Sequence, residues 1–194
     1  MSRLKGLPAI VVLGATLGVA VMGCGRCGGT RPGSDAARGK EESRTKRDML
    51  PPDVTPEQAR QLLETDYVYL DVRTVSEFNA GRPAGAWNVP YAEVNPAVGK
   101  MEPNPRFLDV VRSRFPKDAK LIVGCKSGRR SASACQLLRE AGFQHAHNML
   151  GGFGGETLPT GQITREGWST LGFPVEQGGA GERDYESLRS HATP

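Results

Sequence analysis

The chain has 194 residues and a formal net charge of +4, from 25 Lys and Arg against 21 Asp and Glu. That length holds one ordinary domain with an excess. Charges of both signs alternate through Arg31 to Asp48, so no continuous basic stripe offers itself to nucleic acid, and no nucleic-acid partner is expected.

The excess lies at the amino end. Ser2-Arg3-Leu4-Lys5 is basic and Leu7 to Met22 is almost wholly apolar or Gly, the charged and hydrophobic parts of an export signal. The apolar run is shorter than the ~20 residues a transmembrane helix needs. It ends in Val21-Met22-Gly23-Cys24, a small residue directly before a cysteine, which resembles the lipobox of bacterial lipoproteins. That resemblance implies cleavage before Cys24, lipidation of Cys24 and an extracytoplasmic protein tethered to the membrane on its periplasmic side. Residues 1–23 are thus expected to be signal peptide. Residues 24–52, rich in Gly, Ser, Pro and charges, bury too little apolar surface to offset chain entropy and are expected to be a disordered tether. Cys24-Gly25-Arg26-Cys27 has the spacing of a redox or metal pair, but no second ligand pair lies near it, and neither metal nor cofactor is expected.

Order is expected from Thr55-Pro56-Glu57-Gln58, where Thr as N-cap, Pro at the first helical position and Gln at the third make a capping box. A short helix carrying Ala59, Leu62 and Leu63 follows to about Glu64. Tyr67 to Val72 reads as a buried strand with Asp71 near its carboxyl end. Thr74 to Asn79 predicts a helical turn or two, capped by Thr74 or Ser76 and ended by Gly81 and Pro83. Ala86 to Val89 is a second strand. Asn104 or Pro105 opens a helix in which Phe107, Leu108, Val111 and Phe115 recur at helical spacing, and Pro116 stops it.

Lys120 to Gly124 is a strand that runs directly into Cys125. Gly128 to Ala141 predicts a helix with Ala134, Cys135, Leu138 and Ala141 on one face and Gly142 as its stop, and His145 to Leu150 is one more strand. Gly151-Gly152-Phe153-Gly154-Gly155 lacks the Gly-Lys-Ser/Thr ending of a phosphate loop and reads as a turn. Residues 179–194 read as a flexible tail. Strands alternating with helices imply an α/β fold, an open, mainly parallel central sheet with helices on both faces. Sites in such sheets lie at the carboxyl ends of the strands, where Cys125 is delivered.

A strand, a cysteine, a short polar loop and then a helix turn several backbone N–H groups inward as an anion-binding concavity. A sulfur at its centre, with Lys126, Arg129 and Arg130 close by, stands where proteins favour thiolate over thiol. Cys125 is therefore the candidate nucleophile. Cys135, ten residues on along what should be one helix, is separated by ~15 Å of rise, beyond disulfide reach. It reads as a buried small apolar residue.

Leu70-Asp71-Val72-Arg73, Glu77-Phe78 with Gly81, and Gly85-Ala86 with Asn88-Val89-Pro90 resemble the amino-terminal signature of rhodanese-like domains. Cys125-Lys126-Ser127-Gly128-Arg129-Arg130-Ser131 resembles their active-site loop and helix start. Gly151-Gly152-Phe153, Gly167-Trp168 and Leu171 to Val175 resemble their closing segment. The likeness covers Val54 to Gln177 and sets the domain at 53–178. It implies that Cys125 takes a sulfane sulfur as a persulfide from a small sulfur-containing anion such as thiosulfate and gives it to cyanide or a thiol, the latter possibly on a protein. Lys126, Ser127, Gly128, Arg129, Arg130 and Ser131 would bind the donor, with Arg130 the foremost cation. Asp71 is expected at the pocket floor. Arg73 and Glu77, four residues apart, are expected to form a helix-start ion pair.

Two rivals use similar chemistry. Cysteine phosphatases and arsenate reductases share such a cradle, but the phosphatase signature places Arg six positions after Cys, where this chain has Ser131, and often His directly before it, where this chain has Gly124. A persulfide carrier or binding module serving a partner protein is the other rival. The chain departs from the family pattern in Gly81-Arg82-Pro83-Ala84-Gly85, which stands for the usual Gly-His-Ile-Pro-Gly, and in an insertion, Glu156 to Glu166, that reads as a surface loop in preference to a lid.

Overall fold

The computed structural model of the chain describes residues 50–192. The expected export signal, the expected lipidation site Cys24 and the expected tether through residue 49 lie outside them. Order starts earlier than the capping box. Strand β1 (Asp53–Val54) precedes it, and the carbonyls of Pro51 and Pro52 are already engaged, by His147 Nδ1 at 2.7 Å and by the Asn148 amide at 2.9 Å. The last residues assigned to the tether thus belong to the folded unit.

Helix α1 (Pro56–Leu63) begins on the expected capping box: the Gln58 amide donates to the Thr55 hydroxyl, and the Thr55 amide donates to the Gln58 side chain. Then come β2 (Val68–Asp71), α2 (Val75–Ala80), β3 (Arg82–Pro83), β4 (Trp87–Asn88), β5 (Ala92–Asn95), β6 (Lys100–Pro103) and α3 (Phe107–Arg114). Beyond them lie β7 (Leu121–Gly124), α4 (Arg129–Glu140), β8 (Ala146–Met149), β9 (Glu156–Thr157), β10 (Ile163–Arg165), β11 (Val175–Glu176) and α5 (Tyr185–His191).

Five strands form one sheet in the order β1-β8-β7-β2-β4, and every pairing in it is parallel. Alternation along the strands divides the core. Leu70, Leu121 and Val123 point to one face, where they meet Phe107, Val110 and Val111 of α3 and Cys135 and Leu138 of α4. Tyr69, Ile122 and Met149 point to the other, against Ala59 of α1, Phe78 of α2 and Trp168. Helices therefore cover both faces, as expected for this α/β class.

Three two-stranded antiparallel ribbons, β3–β11, β5–β6 and β9–β10, surround the sheet. The last of them is the 156–166 insertion, an exposed surface hairpin.

Over its described residues, 179–192, the segment expected as a flexible tail is folded. A 3-10 turn (Gly181–Arg183) leads into α5, whose Tyr185 and Leu188 are buried with Phe107, Val110 and Val111. Asn104 Nδ2 donates to the Tyr185 hydroxyl at 2.9 Å, and Arg106 Nη2 donates to the Ala192 carbonyl at 2.8 Å. Arg82, the residue that replaces the family's usual His, is the anchor. It is 2% exposed, its guanidinium lies 4.5 Å from the Phe78 ring centroid, and Nη1 donates to the Gly178 carbonyl at 2.5 Å.

Candidate active site

Strand β7 is buried along its whole length between β8 and β2, and its last residue hands the chain to Cys125. The loop turns at Gly128, whose φ of 94° is left-handed backbone that an L side chain rarely adopts. That turn points the Gly128 amide at the sulfur, to which it donates at 3.1 Å. The Ser131 hydroxyl lies 3.4 Å from the same sulfur. Cys125, 1% exposed, sits just before the N-terminus of α4. Cys135 is buried and free, and burial pushes its thiol up to about 12, which fits the inert core role expected of it.

The glycine-rich turn 151–155 clasps the loop from outside. Phe153 N donates to the Cys125 carbonyl at 2.7 Å and Gly154 N to the Lys126 carbonyl at 2.8 Å. With those carbonyls held by the turn, the Gly128 amide stands on the sulfur side. Gly124 meets a different constraint: a Cβ there would fall 1.7 Å from the Tyr69 hydroxyl oxygen. Tyr69 therefore occupies the space that a histidine before the nucleophile would need.

The expected Arg73–Glu77 ion pair does not form. The Arg73 amide donates to Asp71 Oδ1 at 3.0 Å, a local turn at the strand end that brings Nη2 to 2.6 Å from Asp71 Oδ2. Helix α2 starts only at Val75, so Arg73 stands outside it and the i,i+4 rule does not reach it. Nη2 also donates to the Gly81 carbonyl at 2.6 Å, and the guanidinium stacks 4.2 Å from the Phe153 ring centroid. Asp71, fully buried, is thus a brace committed to Arg73 and presents no free carboxylate to a pocket floor. Through Phe153 this brace supports the turn that clasps Cys125.

Glu77 pairs instead with Arg130, at 2.7 Å and 2.8 Å through both carboxylate oxygens. It also accepts from the Thr74 amide and so closes the capping box of α2. Burial acts to raise the Glu77 carboxyl, but the Arg130 guanidinium and the Thr74 donors outweigh it and bring it down to about 2. Arg130 is raised in turn, chiefly by Glu77, with Cys125 among the lesser influences. Lys126 and Arg129 are exposed beside the loop and Ser127 is half-buried. Among the described residues neither Lys126 nor Arg129 is in an ion pair.

Two contributors escape a reading by motif, Tyr69 and Asn148, while Phe153 stands in the quoted closing segment without a sign that its amide holds the Cys125 carbonyl. Asn148 Oδ1 lies 2.7 Å from Ser131 Oγ, and its Nδ2 donates to Asp53 Oδ1 at 2.9 Å. The one signal for it was a pair of polar residues, His147-Asn148, in an otherwise apolar strand.

Comparison with known proteins agrees with this architecture. Residues 55–155 match the rhodanese-like domain family. Thiosulfate sulfurtransferase 16, chloroplastic, of Arabidopsis thaliana is 42% identical over 113 residues, 58% of this chain and 88% of that protein. Thiosulfate sulfurtransferase GlpE of Glaesserella parasuis is 31% identical over 127 residues, 65% of this chain and 94% of that protein. The crystal structure of Rv0390 from M. tuberculosis superposes with a TM-score of 0.54 at 33% identity, covering 65% of this chain and 97% of that one. With the family match spanning more than half of its residues, the chain belongs to the rhodanese-like domain family of sulfurtransferases.

Proposed function

We propose that this protein transfers a sulfane sulfur from thiosulfate to a nucleophilic acceptor through a persulfide on Cys125. The observation that carries the reading is the Gly128 amide aimed at the Cys125 sulfur at 3.1 Å, at a helix start bordered by Lys126, Arg129 and Arg130. The Cys125 thiolate attacks the outer sulfur of thiosulfate, a bond forms between the two sulfurs, and the bond to the sulfonate breaks with sulfite as leaving group. Exposed Lys126 and Arg129 draw the dianion toward the loop, and the inward amide offsets the charge on the added sulfur. A cyanide ion or thiol then removes that sulfur. Relatives whose names carry the same activity support the reading, and the Tyr69 hydroxyl packed on Gly124 weighs against the phosphatase pattern.

Incubation with thiosulfate followed by intact mass tests the proposal. A gain of one sulfur, reversed by a thiol and absent in Cys125→Ser, is expected; no gain with any sulfane donor rejects it. The lipobox reading adds a proposed location, extracytoplasmic and membrane-tethered through lipid on Cys24. Fatty-acid labelling that persists in Cys24→Ala would overturn that location.

A further inference from the structure

A groove of about 600 Å³ runs between the start of α2 and the β5–β6 hairpin, with Tyr91, Ala92, Val94 and Met101 on one side and Glu77 and Arg130 on the other. Val94 and Met101 are a cross-strand pair, 53% and 45% exposed. Apolar side chains directly opposite one another on a ribbon usually cover something. The opposite wall contains Arg130, in the first turn of α4, and the loop before that helix holds Cys125. Arg130 is thus the residue through which the groove borders the Cys125 loop.

Charge decides what the groove suits. Arg130 is committed to Glu77 at both oxygens, so this wall carries a neutral pair with the Thr74 and Ser76 hydroxyls beside it, and the facing wall of Tyr91, Ala92, Val94 and Met101 is mainly apolar. Thiosulfate and cyanide, small inorganic anions, gain nothing from such a surface, and the exposed cations Lys126 and Arg129 already serve the donor. Hydrocarbon gains from it.

The geometry points to this groove as the acceptor subsite, and to the acceptor as a small organic thiol with an aromatic or aliphatic body that lies against Val94 and Met101. The assignment rests on the persulfide reading of Cys125. The acceptor's proton passes through solvent to the charged outer sulfur, giving Cys125–S–SH, and the thiolate RS⁻ attacks that sulfur. A new S–S bond forms to the acceptor's sulfur, the S–S bond to Cys125 breaks, and its electron pair stays with Cys125 as thiolate. The product is R–S–SH.

The full chain is loaded from thiosulfate, and loading is read by intact mass before any acceptor is added. Discharge is then timed with benzyl mercaptan, 2-mercaptoethanol and cyanide. Benzyl mercaptan is expected to discharge the persulfide with a kcat/KM about tenfold or more above that of 2-mercaptoethanol, the worth of partly burying one aromatic ring. Val94→Asp and Met101→Asp, both at exposed positions that should tolerate the change, are expected to cut that ratio severalfold. Leu158→Asp, the same change on the exposed β9–β10 hairpin, should leave it as in the parent. Equal discharge by the two thiols, or a ratio that Val94→Asp and Met101→Asp do not move, overturns the acceptor subsite. A chain that never loads overturns the persulfide reading and the subsite with it.

Discussion

Glu77 and Arg130, 53 residues apart in sequence, meet through two hydrogen bonds on the flank of the Cys125 loop. A cation next to an anion site would ordinarily be counted as a ligand for the anion. Here its charge is already matched, so losing it exposes an unmatched carboxylate. Arg130→Ala is expected to raise the KM for thiosulfate about tenfold or more through that repulsion. The double variant Glu77→Gln/Arg130→Ala should recover most of the loss. Steady-state kinetics on the three proteins checks this, and a double variant as poor as Arg130→Ala would mean that Arg130 contacts the donor directly.

The Tyr69 hydroxyl resting where a Cβ of residue 124 would stand makes glycine a packing requirement. Gly124→Ala is expected to cost about 1–3 kcal/mol by overpacking. In a Tyr69→Leu background the same alanine should cost distinctly less. Urea unfolding of the four proteins measures the coupling.

Arg82 ties the closing segment to the turn before β4. Arg82→Ala should destabilise the fold by about 2 kcal/mol, the scale of a lost charge-assisted hydrogen bond. Cleavage by trypsin beyond residue 178 should quicken at the same time. Leu188→Ala, which empties part of the α3–α5 contact, is expected to cost about 2–4 kcal/mol. Unchanged unfolding midpoints in both variants would return this segment to the status of a loose tail.

Stability should fall with acid in two stages. Burial lowers the pKa of His147, whose Nδ1 faces the Pro51 carbonyl and whose Nε2 has no partner among the described residues. The neutral ring is therefore the folded form, its contribution is complete above pH 6.5, and it declines as pH drops through the lower folded value. Glu77 has its carboxyl brought from 4.5 to about 2, so its contribution is complete above pH 4.5 and fades as pH falls toward 2. His147→Phe should flatten the first stage and Glu77→Gln the second, measured as unfolding free energy against pH.

The loop around Cys125 was legible because its determinants are contiguous: strand, nucleophile, turn glycine and helix follow one another within a dozen residues. The parallel sheet was legible for a similar reason, since short β-branched runs alternate with helix signals. Partner choice was not. Arg73 has a carboxylate two residues before it and another four after it, and only the place where α2 actually begins decides between them. Arg130 finds its partner across the tertiary fold, which no local spacing encodes. Helix α5 offers just Tyr185 and Leu188 as apolar positions, too weak a pattern to hold a helix alone, and it exists because α3 supplies the surface that they bury. The β5–β6 ribbon left equally little trace, as its exposed Val94 and Met101 alternate against nothing but solvent.

Ser131 offers a last consequence, a matter of counting hydrogens. Its hydroxyl oxygen lies within reach of three acceptors, Asn148 Oδ1 at 2.7 Å, the Gly128 carbonyl at 3.1 Å and the Cys125 sulfur at 3.4 Å, yet it owns a single proton. Asp53 accepts from the Asn148 amide nitrogen, which fixes the oxygen of that amide toward Ser131. A protonated sulfur can then give its hydrogen to Ser131 while Ser131 gives its own to Asn148, and a charged sulfur can claim the Ser131 hydrogen after one bond rotation. The hydroxyl is a rotor with a partner in each position, so the hydrogen bonding around the sulfur can be rearranged without moving the backbone.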